Sequence, residues 1–180
     1  MGTRSTIALE FADGTVGVVY CHWDGYLSHN GKILLNNYMD PFKVRELIDN
    51  GDVSSLGNEI GVKHPFDAPG YYNTPEYNAY KEKYGNMTKF YMRDRGEDGC
   101  VAQYYKDFDD YVQNHGYQEY EYILRQENGE AVWYVDSGDG YEPLLEVYLE
   151  ELREQNDEEA EKELLDKFIN FAKFVNMVNA

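Results

Sequence analysis

The sequence predicts an α+β domain: an antiparallel sheet built from two hairpins, packed with helices, and a carboxy-terminal helical region. Three observations predict it. Two pairs of β-prone segments are joined by Asp13-Gly14 and Asn128-Gly129, dipeptides that are strong hairpin signals. Apolar residues between and after these pairs recur at helical spacing. The 180 residues show no composition shift or low-complexity linker, so we expect a single acidic domain over residues 1–180.

Capping signals indicate where the helices begin and end. Asp40 and Thr74 each precede a proline, the order typical of a helix start. Gly51, Gly85 and Gly116 each follow the last periodic residue of a helix. The predicted elements are a hairpin of residues 5–11 and 15–21, helices over about 30–38, 41–50 and 75–84, an irregular connection over 61–70, a strand over 89–92, a polar loop over 93–99, a helix over 104–115, and a hairpin of 120–125 and 131–135.

The carboxy-terminal helical region is predicted to span about residues 143–178. Leucine and tyrosine side chains share one face there, and a second apolar series follows Asn156. The region is therefore one long helix or two antiparallel helices. In the second case, Asp157-Glu158-Glu159 would complement the dipole at the new helix start.

The charge balance narrows the classes of partner. The 34 acidic residues exceed the 16 basic ones and give a formal net charge of −18, which disfavours direct nucleic-acid and membrane binding. The same charge favours a basic protein surface as partner, although it also serves solubility. The chain has 18 tyrosines, and tyrosine suits interfaces because it combines a large contact area with a hydrogen-bonding tip.

Cysteine content and hydropathy indicate a cytoplasmic protein. The two cysteines do not form the dense disulfide framework of a small secreted scaffold. The amino terminus lacks the apolar core of a signal peptide, and no stretch approaches the roughly 20 apolar residues of a membrane span. No nucleotide, zinc-protease, redox or hydrolase motif is present, so no cofactor or metal is predicted.

The densest group of chemically capable residues is the CHWDGY segment, residues 21–26, at the end of the second predicted strand. Alternation along a strand places His22 and Asp24 on one face, where they could act as a general base pair, or bind a metal with His29. The alternative is that both side chains stabilise a buried turn. The residues predicted to line a pocket for an anionic ligand such as a nucleotide are Arg4, His22, Trp23, Asp24, Tyr26 and Lys32.

The amino-terminal third resembles an uncharacterised family of small proteins from bacteriophages and bacterial mobile elements. The likeness covers about the first 60 residues, and the CHWDGY string is its most specific part. It implies a phage or mobile-element setting and supplies no catalytic residues. The positions that carry it are residues 3–9, Asp13-Gly14, 20–26, 31–35, Tyr38, Leu47, Gly51-Asp52 and 54–56.

These observations lead to a first hypothesis and two alternatives. The first is a non-enzymatic accessory protein that inhibits or modulates a host protein of defence or nucleic-acid processing through an acidic, tyrosine-rich surface. The second is a nucleotide-binding or nucleotide-hydrolysing domain, with His22 and Asp24 as catalytic residues. The third is a structural protein whose acidity serves solubility alone. The predicted partner-binding residues are Glu150, Glu151, Glu154, Asp157, Glu158 and Glu159.

Overall fold

The computed structural model describes the backbone of residues 2–178 and the side chains of residues 2–170. Within these bounds the chain is an α+β fold with a mixed sheet. Its elements are β1 (Ser5–Glu10), β2 (Val16–Cys21), a π-helical turn (Leu27–Gly31), α1 (Lys32–Asn37), α2 (Pro41–Asp49), β3 (Val53–Ser55), α3 (Pro75–Tyr84), β4 (Lys89–Phe90), α4 (Tyr91–Arg95), β5 (Gln103–Tyr105), α5 (Phe108–Asn114), β6 (Tyr120–Glu127), β7 (Glu130–Asp136), β8 (Glu142–Pro143), α6 (Leu144–Glu154) and α7 (Glu158–Val178).

Both predicted hairpins are confirmed, but the sheet is not purely antiparallel. Strands β1 and β2 pair antiparallel, as do β6 and β7. The sheet order is β4-β3-β2-β1-β6-β7-β8, with β5 also paired to β2. The two hairpins meet through a parallel pairing of β1 with β6, in which Ser5 lies opposite Tyr120. A parallel pair needs a long crossover, and the segment from α1 to α5 supplies it.

The sheet buries a different core on each face because side chains alternate along its strands. Ile7, Leu9 and Tyr122 belong to the larger core, which also includes side chains from α1, α2 and α6. Ala8 and Ile123 belong to a smaller core together with Tyr111 of α5. Both faces of the central strands are therefore covered.

The capping signals correctly located two helix starts. The Asp40 carboxylate accepts a hydrogen bond from the Phe42 amide at 2.9 Å, and Pro41 opens α2. The Thr74 hydroxyl accepts one from the Tyr77 amide at 3.3 Å, and Pro75 opens α3. These bonds satisfy amide groups that have no partner within the helix.

Three predicted elements are wrong in extent. The helix predicted over 104–115 begins only at Phe108, because the Asp107 carboxylate caps it by accepting from the Asp110 amide at 2.8 Å. Tyr104 and Tyr105 lie instead in β5, which pairs with β2. The predicted strand over 89–92 ends at Phe90, and the polar loop predicted over 93–99 begins inside α4. Strands β3 and β8 were not predicted.

The carboxy-terminal region is two helices. Asn156 adopts a positive φ of 55° between α6 and α7. The Asp157 carboxylate accepts from the Ala160 amide at 3.1 Å, which caps the start of α7. Among the helices within residues 2–178, none is long and apolar enough to cross a bilayer.

Candidate functional site

The CHWDGY segment forms a backbone junction at the end of β2. The amides of His22 and Trp23 donate to the carbonyls of Val53 and Ser54, each at 3.0 Å, and so extend the pairing of β2 with β3. The Gly25 amide donates to the Thr3 carbonyl at 2.9 Å. Through these three bonds the segment connects β3 to the residues that precede β1.

Gly25 is the tightest point of this junction. A Cβ atom there would lie 2.8 Å from the carbonyl carbon of Arg4 and 2.9 Å from its oxygen. The Gly25 carbonyl accepts a hydrogen bond of 2.8 Å from the Tyr122 hydroxyl, which is buried beneath the sheet. Backbone packs on backbone here, so only glycine fits without displacement of the chain.

Asn30 holds the junction from inside. Its side chain is fully buried, and its Nδ2 group donates to Ser5 Oγ at 3.1 Å and Cys21 Sγ at 3.4 Å. The same group lies 3.5 Å from the Trp23 carbonyl oxygen. Burial raises the pKa of the Cys21 thiol to about 11. Cys21 is therefore a protonated structural thiol at neutral pH, since nucleophilic attack requires the thiolate.

The two histidines near the segment are engaged within the chain. His22 Nδ1 lies 2.9 Å from the Tyr20 hydroxyl, and the His22 ring packs edge-on against Trp23 at 4.6 Å between centroids. His29 Nδ1 lies 2.9 Å from Asn30 Oδ1. Across the described side chains, no three His, Cys, Asp or Glu residues converge on a metal position.

The residues predicted to line an anionic-ligand pocket have different surroundings. Trp23 is 44% exposed and packs over Gly2, whereas Lys32 lines a surface cavity of about 420 Å³ with Ser28 and His29. The Arg4 amide donates to the Glu119 carboxylate, and the Arg4 carbonyl accepts from the Tyr120 amide. Asp24 has a positive φ of 57°, and its carbonyl accepts from the Asn30 amide. Tyr26 is exposed. His22 and Trp23 are in contact, and the cavity that Lys32 lines also includes His29, whose ring centroid lies 6.0 Å from that of Tyr26. A ligand site here stays a prediction.

The six predicted partner-binding acids have different environments. Glu150, Glu154, Glu158 and Glu159 are exposed. Glu151 is partly buried, one of its carboxylate oxygens has no hydrogen-bond partner, and burial raises its pKa. Asp157 is exposed as well, and one of its carboxylate oxygens caps α7. Five of the six residues are thus exposed, one of them engaged as a helix cap.

One acidic residue that the sequence reasoning missed aligns with two of these. Glu146, Glu150 and Glu154 are exposed and four residues apart on α6, whose Leu144 and Tyr148 are buried. Residues four apart on a helix are neighbours, displaced by about 6 Å along the axis. We call these three residues the acidic ridge. The four-residue spacing is visible in the sequence and is the signal that would have identified Glu146.

The acidic ridge lacks a basic counterpart. Residues 142–163 contain ten acidic and two basic residues. Of the two, Arg153 pairs with Glu161 of α7, with 2.7 Å between Nε and Oε1. Among the described side chains, the ridge residues form no ion pair within 4.0 Å. Its charge is therefore presented to solvent without internal compensation.

The tyrosine of α6 is not part of the exposed surface. Tyr148 is buried, whereas Tyr71 and Tyr72 are 87% and 73% exposed on the segment before α3. A surface that is both acidic and tyrosine-rich stays a prediction.

Comparisons of the chain with protein-family models, curated proteins and solved structures found no match.

Proposed function

We propose that this chain is a non-enzymatic binding protein that inhibits or modulates a partner by docking its acidic ridge on a basic surface of that partner. The observation that carries the proposal is the row of three exposed, uncompensated glutamates on α6. Lysine and arginine side chains of the partner would supply the missing countercharge.

Stability gives no reason for two of the three ridge residues, Glu150 and Glu154, whereas Glu146 lies in the first turn of α6, where the helix dipole stabilises it. Like charges four residues apart destabilise a helix by about 0.2–0.5 kcal/mol per pair, and the ridge contains two such pairs. Glu154 also lies in the last turn of α6, where the helix dipole disfavours a negative charge. By contrast, Glu158 and Glu159 lie in the first turn of α7, where the dipole stabilises them. Glu150 and Glu154 therefore destabilise α6 without a compensating contact in the described part of the chain, which favours an external role for them.

The setting of the proposal comes from the amino-terminal resemblance to phage and mobile-element proteins. Accessory proteins of such genomes act on host machinery, and proteins that process nucleic acid present the basic surfaces that an acidic ridge would engage. A host defence or nucleic-acid-processing protein is accordingly the proposed partner class.

A nucleotide-binding or hydrolysing function draws less support. The buried Cys21 thiol is not activated, and His22 and His29 each contact a neighbouring polar group of the chain. His29 lines a surface cavity with Lys32, but neither His22 nor Cys21 lines it, so the candidate catalytic groups do not share that cavity.

The proposal is tested by affinity capture from host extract with the immobilised full chain. We expect a basic protein to be retained at about 0.15 M salt and released near 1 M, where the Debye length falls to about 3 Å. The double variant Glu150→Gln/Glu154→Gln should lose it. A matched control, Asp98→Asn/Glu130→Gln, removes two exposed acids elsewhere and should retain it. Capture that is insensitive to salt, or equal for both variants, contradicts the proposal.

A further inference from the structure

A small polar cavity of about 130 Å³ lies beside β2, where the sheet is interrupted. On the edge of β2 that faces away from β1, β5 pairs with residues 16–18 and β3 pairs with residue 21. No strand of the described chain pairs with residues 19 and 20 on that edge. The polar side chains that line the cavity are Thr6, Asp52, Gln103, His115 and Gln118.

Asp52 occupies the interruption and is held there by the main chain. Its Oδ1 atom accepts a hydrogen bond of 2.9 Å from the Tyr20 amide. Its own amide donates to the Cys100 carbonyl at 2.9 Å, and its carbonyl accepts from the Tyr91 amide at 3.1 Å. Among the described side chains, no Lys, Arg or His nitrogen lies within 4.0 Å of the carboxylate, and burial raises its pKa. The cavity thus contains a fixed, partly buried carboxylate without a countercharge.

Thr6 contributes a buried polar atom that the fold does not bond. The residue is only 5% exposed, and its hydroxyl oxygen makes no hydrogen bond within the described part of the chain. The Tyr111 hydroxyl is a neighbour, but it accepts from Tyr141 at 3.2 Å and makes no hydrogen bond of normal geometry with Thr6. A hydroxyl buried without a partner costs free energy, so Thr6 is an independent indication that this cavity binds a polar ligand.

The chemistry of the lining favours a planar cation that carries several N–H donors. The Asp52 carboxylate, the Thr6 hydroxyl and the side-chain carbonyls of Gln103 and Gln118 can all accept hydrogen bonds. A guanidinium group presents its donors in one plane and is more weakly hydrated than an ammonium group, so it leaves water more easily. The cavity has the volume of about four waters at about 30 Å³ each, and a guanidinium group has about as many non-hydrogen atoms.

The cavity is accessible, and its histidine does not oppose a cation. Gln103 and Gly116 are exposed, so the cavity opens to solvent on their side. The His115 side chain is buried, with 2.7 Å between its Nε2 atom and Oε1 of Glu121. The positive charge of a protonated His115 is therefore balanced by Glu121, and the charge of Asp52 is left for a ligand.

We propose that this cavity is a binding site for a guanidinium group. The second carboxylate oxygen of Asp52, which the Tyr20 amide leaves unbonded, pairs with the cation, and the Thr6 hydroxyl accepts one of its N–H groups. The group belongs either to a free guanidinium compound or to an arginine side chain of another protein. The inference does not rest on the acidic ridge, because none of the lining residues belongs to α6.

Titration of the full chain with methylguanidinium, followed by nuclear magnetic resonance, tests the inference. The amide signals of Tyr20 and Gly116 should shift saturably. Asp52→Asn keeps an oxygen that can bond the Tyr20 amide but lacks the charge, so the affinity should fall at least about tenfold. The matched control Asp98→Asn makes the same change of net charge at an exposed site after α4 and should bind like the native chain.

Thr6→Val distinguishes a binding role of the hydroxyl from a structural one. The substitution removes the unbonded hydroxyl and preserves the branched shape, so methylguanidinium should bind more weakly while the free energy of unfolding stays equal or rises. A lower stability of this variant would show that the fold uses the hydroxyl, and would overturn its place in the site.

Two further probes identify the chemistry and the source of the ligand. Methylammonium carries the same charge without the planar donors and should bind at least about tenfold more weakly. A blocked peptide with one arginine that binds as tightly as methylguanidinium indicates a protein side chain, and a weaker one indicates a free compound.

Three results overturn the inference: native signals that methylguanidinium does not shift, shifts that Asp52→Asn leaves unchanged, and equal affinity for methylammonium. The variants leave α6 intact, so failure here is distinguishable from failure of the proposed function.

Discussion

The CHWDGY junction and the acidic ridge use their polar groups in opposite ways. In the junction, Asn30, Gly25 and the Cys21 thiol are committed to contacts inside the chain. On the ridge, three carboxylates face solvent and form no described ion pair. The junction has the residue types of a catalytic site and the contacts of a scaffold. Groups that the fold does not use are therefore the better indicator of function in this protein.

The largest effect should come from closing the narrowest contact of the junction. Gly25→Ala places a methyl group 2.8 Å from the Arg4 backbone, and we expect it to lower the free energy of unfolding by about 3 kcal/mol. Gly116→Ala, where an added Cβ meets nothing within 4 Å, is the matched control and should cost less than about 1 kcal/mol. Urea denaturation measures both. Equal effects would show that Gly25 is not a packing constraint.

A smaller loss is expected from the polar centre of the junction. Asn30→Ala removes the buried amide that bonds Ser5 and Cys21, so the free energy of unfolding should fall by about 2 kcal/mol. His22→Ala removes one partly buried hydrogen bond to Tyr20 and should cost about 1 kcal/mol or less. The order of the two losses is the test. If His22→Ala were the more damaging, the scaffold role assigned to Asn30 would be wrong.

Much of the fold was predictable because its signals are local. Asp13-Gly14, Asp40-Pro41 and Thr74-Pro75 each act within a few residues, and the turn and both helix starts lie where these signals predicted them. The parallel pairing of Ser5 with Tyr120 joins residues far apart in the chain, and no local pattern encodes it. The helical spacing of aromatic residues before α5 was misleading, although Asp107 carried the correct capping signal.

The candidate site was predictable only where its signals are local in the sequence. Acid spacing on α6 can be read from the sequence once the helix is located. That Asn30 is fully buried could not be read, because an asparagine beside a histidine and a glycine carries no sign of the groups it bonds. The inward turn of Glu151 likewise depends on tertiary packing.

Glu121 differs from the ridge glutamates because it is buried beside a basic side chain. Glu121 is buried, and His115 Nε2 lies 2.7 Å from its Oε1 atom, so this carboxylate has a countercharge when His115 is protonated. Burial lowers the pKa of His115, but the adjacent Glu121 carboxylate and the Tyr111 carbonyl outweigh burial and raise the pKa above its ordinary value of 6.5. The resulting stability is fully present below the unfolded-state pKa of 6.5 and is lost as the pH rises through the higher folded-state pKa.

Thermal or urea unfolding across this pH range measures that dependence. The native chain should lose stability from pH 6.5 upward. His115→Asn should be less stable at low pH and should lack this step. A native profile that is flat above pH 6.5 would contradict the pairing of His115 with Glu121.

The central claim is that the fold does not use Glu150 and Glu154 of the acidic ridge, and a comparison of two charge-matched double variants tests it most directly. Glu150→Gln/Glu154→Gln removes both like-charge pairs, so the free energy of unfolding at low salt should rise by about 0.5 to 1 kcal/mol. Glu158→Gln/Glu159→Gln removes acids that favour the start of α7 and should lower it by a similar amount. Urea denaturation of both variants beside the native chain measures these changes, and both should shrink as salt is added. A loss of stability in the ridge variant would contradict the account, because it would show that the ridge carboxylates stabilise the fold.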